Sequence, residues 1–233
     1  MKKNQVLVVG GVVLLGLVIF ALYDAFNRVS DAGSANSIAV QQIEDKATDM
    51  RELEEAGRIE GSRYINEELG LSFRIPEETV PTSTEEMHRR DRADTEELFG
   101  TEAGAQRGAA LFGVDHPLDE EEHVGIWAFS PDPFDVDASI RNEERIVVSM
   151  ITKGAKDQGL DYELDTAWVT TPVAPMRRVA FRYIEPENPD FAYVPTVIYS
   201  FGRNGYLVQV VSDGFSEWPI EIADEVVAGV EEL

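Results

Sequence analysis

The chain has no cysteine in its 233 residues. Disulfides, thiolate nucleophiles, iron–sulfur clusters and cysteine-based zinc sites are therefore excluded. That absence assigns no compartment, since exported proteins also fold without disulfides. Histidine is scarce: His88, His116 and His123 are the whole set, so acid–base chemistry near neutral pH has few side chains to use. Positive charge is short as well. Twenty basic residues stand against 44 acidic ones, a formal net charge of −24. A surface of that sign repels phosphates, which argues against nucleic-acid binding, and it repels anionic headgroups. A salt-rich source explains the same acidity without any function. No Gly-x-Ser-x-Gly, His-Glu-x-x-His, phosphate loop or dinucleotide fingerprint occurs. The chain accordingly reads as non-enzymatic, with no catalytic residue, cofactor or metal site assigned. A paired-carboxylate hydrolase stays open on paper, because 44 carboxylates offer many pairs and single out none.

Long apolar runs are also few, and one stands out. Val6 to Tyr23 (VLVVGGVVLLGLVIFALY) contains no charge and meets the lower end of a membrane-spanning helix, about 17–25 residues. Secretory signal peptides have a shorter apolar core of about 7–15 residues and a small-residue cleavage site. Here Asp24, Phe26 and Arg28 follow the run, and Ala32-Gly33-Ser34 is a poor cleavage site. The reading is an uncleaved signal anchor. Lys2 and Lys3 put residues 1–5 in the cytoplasm by the positive-inside rule. The rest then lies outside the cytoplasmic (inner) membrane, periplasmic or extracellular. Residues 24–61 read as a linker, SDAGSANS at its centre, and a helix over Ile38 to Ala56 that is either a stalk or packs back on the domain. Residues 62–233 read as the folded domain.

The clearest signal in that domain is Phe191 to Asp213 (FAYVPTVIYSFGRNGYLVQVVSD). Two apolar runs flank Asn204-Gly205, a dipeptide suited to a two-residue type I′ hairpin turn. The turn predicts Phe201 opposite Val208, Tyr199 opposite Val210 and Ser200 opposite Gln209. Alternation then puts Val197, Tyr199, Phe201, Val208 and Val210 on one core-facing side. Ile198, Leu207 and Val211 make the other side partly apolar, which implies a cover for it too. Elsewhere, Ser62 to Pro76 predicts two short strands around a turn at Glu68 to Gly70. Ser83-Thr-Glu-Glu86 resembles a capping box ahead of a helix to Phe99. Ala109 to Val114 and Val124 to Phe129 read as strands, with Asp115 to His123 (DHPLDEEEH) as a charged loop between them. Asp137 or Ser139 caps a helix to about Gln158, ended by Gly159. Strands follow at Trp168 to Thr171 and Arg178 to Ile184, then the hairpin, then a helix over Ser216 to Val230. Helices over a largely antiparallel sheet define an α+β domain.

Tyr64-Ile-Asn, Gly70-Leu-Ser-Phe-Arg-Ile-Pro76, the meander Val179 to Ser212 and the closing Val226-Val227-Ala228-Gly229-Val230 together resemble the PsbP-like (Mog-like) superfamily. The resemblance spans Arg63 to Leu233, chiefly by element order. Where many members carry Pro-x-x-Trp, this chain has Pro76-Glu-Glu-Thr-Val80. The resemblance implies an α/β/α sandwich with a central antiparallel sheet. It also implies a non-enzymatic accessory or binding role of the kind members play for a GTPase, for photosystem II or for bacterial envelope systems.

Candidate site residues are few. His116 and His123 flank Asp119 to Glu122, and Asp132, Asp135 and Asp137 cluster, but neither set has the spacing of a known metal site. Trp127, Trp168 and Trp218 either line a ligand groove or fill the core. The basic clusters Arg89, Arg90 and Arg92 and Arg177-Arg178 are contacts for an acidic partner or local salt bridges. The function these features imply is a single-pass membrane-anchored accessory protein. Its extracytoplasmic domain binds and stabilises a membrane or envelope protein complex. The alternative is a small-ligand or lipid-binding envelope protein.

Overall fold

Asn204 and Gly205 both have positive φ, 48° and 84°, the backbone that a type I′ turn requires. The computed structural model that shows this describes residues 49–99, 108–130, 136–185 and 188–233. The strands are β1 (Gly57–Glu60), β2 (Arg63–Asn66), β3 (Leu71–Arg74), β4 (Val80–Thr82), β5 (Gly108–His116), β6 (Asp119–Phe129), β7 (Asp161–Thr170), β8 (Pro175–Glu185), β9 (Asn188–Arg203), β10 (Tyr206–Asp213) and β11 (Glu231–Glu232). The helices are α1 (Thr84–Phe99), α2 (Val136–Gln158) and α3 (Trp218–Ala228). Residues 49–55 are also helical. No helix among the described residues is long and apolar enough to cross a membrane. The apolar run at 6–23 and the linker at 30–37 lie outside the described residues.

The turn sets the register as the sequence predicts: Phe201 pairs with Val208, Tyr199 with Val210 and Ser200 with Gln209. Gly205 has open space around it, so a side chain there would suffer only from the backbone. Gly205→Val is expected to cost about 1–2 kcal/mol through left-handed strain, with Gly205→Asn much closer to neutral. Chemical denaturation of the two variants checks this.

The hairpin lies inside a seven-stranded antiparallel sheet ordered β4-β5-β6-β10-β9-β8-β7. Both faces are covered. Val197, Tyr199, Phe201, Val208 and Val210 face a core shared with Met50, Leu53, Phe73, Ile222 and Val226. The cover on that side is α3, the helical segment 49–55 and a small sheet ordered β1-β2-β3-β11. Ile198 and Val211 point the other way, against Val147, Ile151 and Ala155 of α2 and Met87 of α1. The apolar character of the hairpin's second side is thus explained by a packed helix.

Local signals place these covers. Ser83 Oγ accepts from the Glu86 backbone N–H at 3.2 Å, capping α1 where the sequence motif stands. Gly159, at φ 67°, ends α2 and lets Leu160 N–H reach Ala155 O at 2.9 Å. The fold reaches upstream of Ser62. Met50 and Leu53 are buried, Asn66 Nδ2 donates to Leu53 O at 2.8 Å, and Gly57 to Glu60 pair with β2. The helix expected as a stalk or a packed element therefore packs, at least over 49–55.

One expectation is corrected. Asp115 to His123 is not a loop: β5 and β6 run through it, with the turn at 117–118 and a bulge beside His116. Its charges are tolerated because each buried one has a partner. Glu122 is buried and accepts from Phe215 N–H and Ser216 Oγ at 3.0 and 2.9 Å, pinning the loop before α3.

The antiparallel register defines two ends of the large sheet. Leu207 pairs with Phe129 and Asp213 with His123, so the Asn204-Gly205 turn and the 117–118 turn lie at opposite ends.

Candidate functional site

The first polar cluster lies where α1 meets β5 and β6. Arg90 donates from Nη1 and Nη2 to the two carboxylate oxygens of Asp115, at 2.8 and 2.9 Å. His123 Nδ1 is 2.6 Å from Asp115 Oδ1. Burial pushes the Asp115 carboxyl up, yet the hydrogen bonds from His123 and Arg90 outweigh it and hold the group well below the usual carboxylate range. Glu86 receives Arg89 and Arg90 and is lowered to about 2 by those two hydrogen bonds. Nearby, His88 Nε2 lies 2.7 Å from Glu54 Oε1, and Ala110 N–H donates to the same oxygen at 2.8 Å. The His88 ring meets Trp127 edge-on. An aspartate–histidine pair is part of a nucleophile-activating arrangement. Here the imidazole's far nitrogen faces the corner of Gly125, Met87 and Trp127, and its carbon edge and the Thr82 side chain meet at Gly113. The cluster ties α1 and the segment 49–55 to the sheet.

The second cluster lies at the far end of the sheet. Trp168 on β7 stands directly opposite Arg177 on β8. The guanidinium sits over the indole, 5.7 Å from the ring centroid. Its Nε donates to Glu144 of α2 at 2.8 Å and its Nη2 to Thr166 Oγ1 at 2.9 Å. Held this way, Trp168 is still 53% exposed. It lines a cleft of about 530 Å³ with Asp137 and Ile140 of α2, Pro175, and the hairpin turn at Arg203 and Asn204. The walls are braced: Arg203 Nε donates to Leu69 O at 3.0 Å and Asn204 Nδ2 to Glu68 O at 3.0 Å. The β7–β8 turn is closed by Thr171 Oγ1 donating to Ala174 O at 2.7 Å. The result is a half-exposed indole stacked under an arginine whose charge Glu144 balances, at the rim of an open cleft.

The residues singled out from the sequence disperse. Arg89 and Arg90 turn onto Glu86 and Asp115, and Arg92 follows them on α1. Arg177 and Arg178 occupy opposite sides of β8: Arg177 meets Glu144, while Arg178 meets Asp165 and the Tyr199 hydroxyl. Neither basic pair forms a free patch. Burial, the Tyr199–Asp224 hydrogen bond and the Asp224 charge together raise that tyrosine to about 12 despite Arg178. His123 joins Asp115, whereas His116 packs its ring against Trp218. Asp137 lies in the first turn of α2; Asp132 and Asp135 lie outside the described residues. Of the three tryptophans, Trp127 is buried and Trp218 half-buried, so only Trp168 is offered to solvent. Its exposure follows from β7 being an edge strand, which strand-length patterning does not reveal.

No family model matches the chain, and no curated protein matches it. Among solved structures it is similar to the solution structure of cyanobacterial PsbP (CyanoP) from Synechocystis sp. PCC 6803. That similarity has 12% identity and a TM-score of 0.48, and covers 76% of this chain and 96% of that one. Described on its own terms, the chain is a mixed α+β protein built on antiparallel sheets.

Proposed function

We propose that this protein is a non-catalytic accessory or interaction protein whose folded domain binds and stabilises a protein complex. In the finer form of the proposal, residues 6–23 anchor it once in the inner membrane with the N-terminus cytoplasmic. The domain then acts on a membrane or envelope complex from the periplasmic or extracellular side. The observation that carries the binding role is Trp168, exposed and rigidly presented beside the cleft. Tryptophan and arginine are enriched among the residues that carry most of the binding energy at protein interfaces.

Trp168→Ala is expected to weaken partner binding by about 2 kcal/mol, roughly thirtyfold, while fold stability moves by less than about 0.5 kcal/mol. Affinity of the copurified partner in mild detergent, read beside a denaturation curve, checks both halves. Loss of binding only together with loss of stability would count against the site. The anchor is tested separately. The chain should stay in the membrane pellet through alkaline carbonate washing, and the domain should be cut by protease added outside the cytoplasmic membrane. Release by carbonate, or protection from that protease, contradicts the topology.

A small ligand is the second reading, favoured by a cleft volume inside the range of about 300–1,000 Å³ that such sites occupy. Thermal stabilisation by a small molecule that Trp168→Ala removes, with no protein partner recovered, would decide for it.

A further inference from the structure

Among the described residues, β7 is an outer strand of the seven-stranded sheet with no neighbour on its far side. It pairs with β8 over ten residues, Asp161 opposite Ile184 through Thr170 opposite Pro175, without a bulge. Among the described residues nothing pairs with its outer side. Every second residue of such a strand turns its N–H and C=O outward. Proteins usually blunt long edges with lysine, proline, a bulge or shortness. The opposite edge obeys this: β4 has three residues, and Pro81 is the middle one. The edges of the small sheet are also short, four residues in β1 and two in β11. β7 reads DYELDTAWVT: it is long and lacks lysine, proline and a bulge, and the carboxylates of Asp161, Glu163 and Asp165 are its one protection, a protection that a cationic strand would not meet. Ten residues give an unpaired ladder of roughly 33 Å.

The two sides of β7 differ. Tyr162, Leu164, Thr166 and Trp168 point to the α2 side, with Tyr162 and Trp168 exposed. Asp161, Glu163 and Asp165 alternate with them and point to the α3 side. Two of these bridge to β8, Glu163 to Arg182 and Asp165 to Arg178. Those arginines are shared, however: Arg182 also approaches Glu217, and Arg178 also holds the tyrosine bonded to Asp224. The acidic side keeps an excess of carboxylate beside a free backbone ladder.

We infer that β7 receives an extended segment of a partner protein as an added antiparallel or parallel strand. That segment carries lysine or arginine at alternate positions toward the carboxylate side and apolar residues between them toward Tyr162 and Trp168. Backbone pairing supplies binding, and the alternation supplies register. A second copy of this chain fits poorly. Self-pairing sets two carboxylate rows along one seam and brings together two molecules of net charge −24. The inference rests on the reading of Trp168 as a docking residue and adds to it the partner's shape and charge.

The test uses the full chain in mild detergent. One synthetic peptide as long as β7 alternates lysine and valine; a second has the same composition in two blocks. Hydrogen exchange over 161–170 is recorded, and Trp168 fluorescence is taken as the difference between the native chain and Trp168→Phe. The alternating peptide is expected to slow exchange in β7 and to bind about tenfold tighter than the block peptide. Glu163→Gln with Asp165→Asn should remove most of that preference and flatten its salt dependence. A change in Trp168 fluorescence without protection of β7 overturns strand addition but leaves the docking role of Trp168 standing. No change in either overturns strand addition, and the docking role of Trp168 then stands or falls with the Trp168→Ala affinity measurement. Protection of β7 without peptide, rising with protein concentration, overturns the choice of partner in favour of a second copy.

Discussion

Phe201→Ala is expected to destabilise the domain by about 4 kcal/mol, within the range measured for removing a buried aromatic ring. Phe201 is fully buried. It sits two residues from the Asn204 turn, opposite Val208, in the cluster that joins the large sheet to α3 and the small sheet. The loss has two parts, the transfer of the ring to water and the cavity left among side chains held by three separate layers. Phe201→Leu keeps most of the volume and should cost only about 1–1.5 kcal/mol. A domain of this kind holds about 5–15 kcal/mol in total, so the alanine variant should unfold at clearly lower urea with an unchanged slope. A loss under about 1 kcal/mol would mean that this face is not the main core.

Asp115→Asn is the second large effect, about 3 kcal/mol, because it leaves Arg90 and His123 facing each other in a half-buried site without their shared anion. The pH dependence has a definite sign. The folded carboxyl sits below its ordinary value of about 4. Its contribution is therefore fully present above that value and is lost as pH falls through the lower folded one. The native protein should lose stability below about pH 4, whereas Asp115→Asn should show a smaller loss over the same window. Denaturation curves at pH 7 and pH 3 for the two proteins test this. Equal slopes would show that Asp115 is not held as an ion. Glu86 shifts in the same direction, but it is partly open to solvent, which screens its ion pairs, and should add little.

The elements that could be read from the sequence are those whose signals are local. Asn204-Gly205 fixes a turn within two residues, so the register of β9 and β10 follows at once. Ser83 and Gly159 mark helix ends by their own conformational preferences. The stretch DHPLDEEEH misleads because its charges suggest solvent. Asp115 is neutralised by Arg90, 25 residues earlier in the chain, and Glu122 accepts hydrogen bonds from backbone and hydroxyl groups more than 90 residues later. β1, β4 and β11 are too short to give a pattern, and they exist only because a neighbour is present to pair. The candidate site is less legible still. Arg177 and Arg178 look like one basic patch, but adjacent strand residues face opposite sides, and each arginine finds an acid there. Trp168 differs from Trp127 only in its strand's place in the sheet, and strand order is a property of the whole chain.

The most direct test of the central claim places a photo-reactive residue at position 168 and, separately, at position 118. Leu118 is 90% exposed and lies at the end of the sheet away from the cleft. In intact cells, irradiation should join the partner to the chain through position 168, and position 118 should give none of that adduct. An adduct from 118 alone, or equal adducts from both, would contradict docking through the Trp168 face.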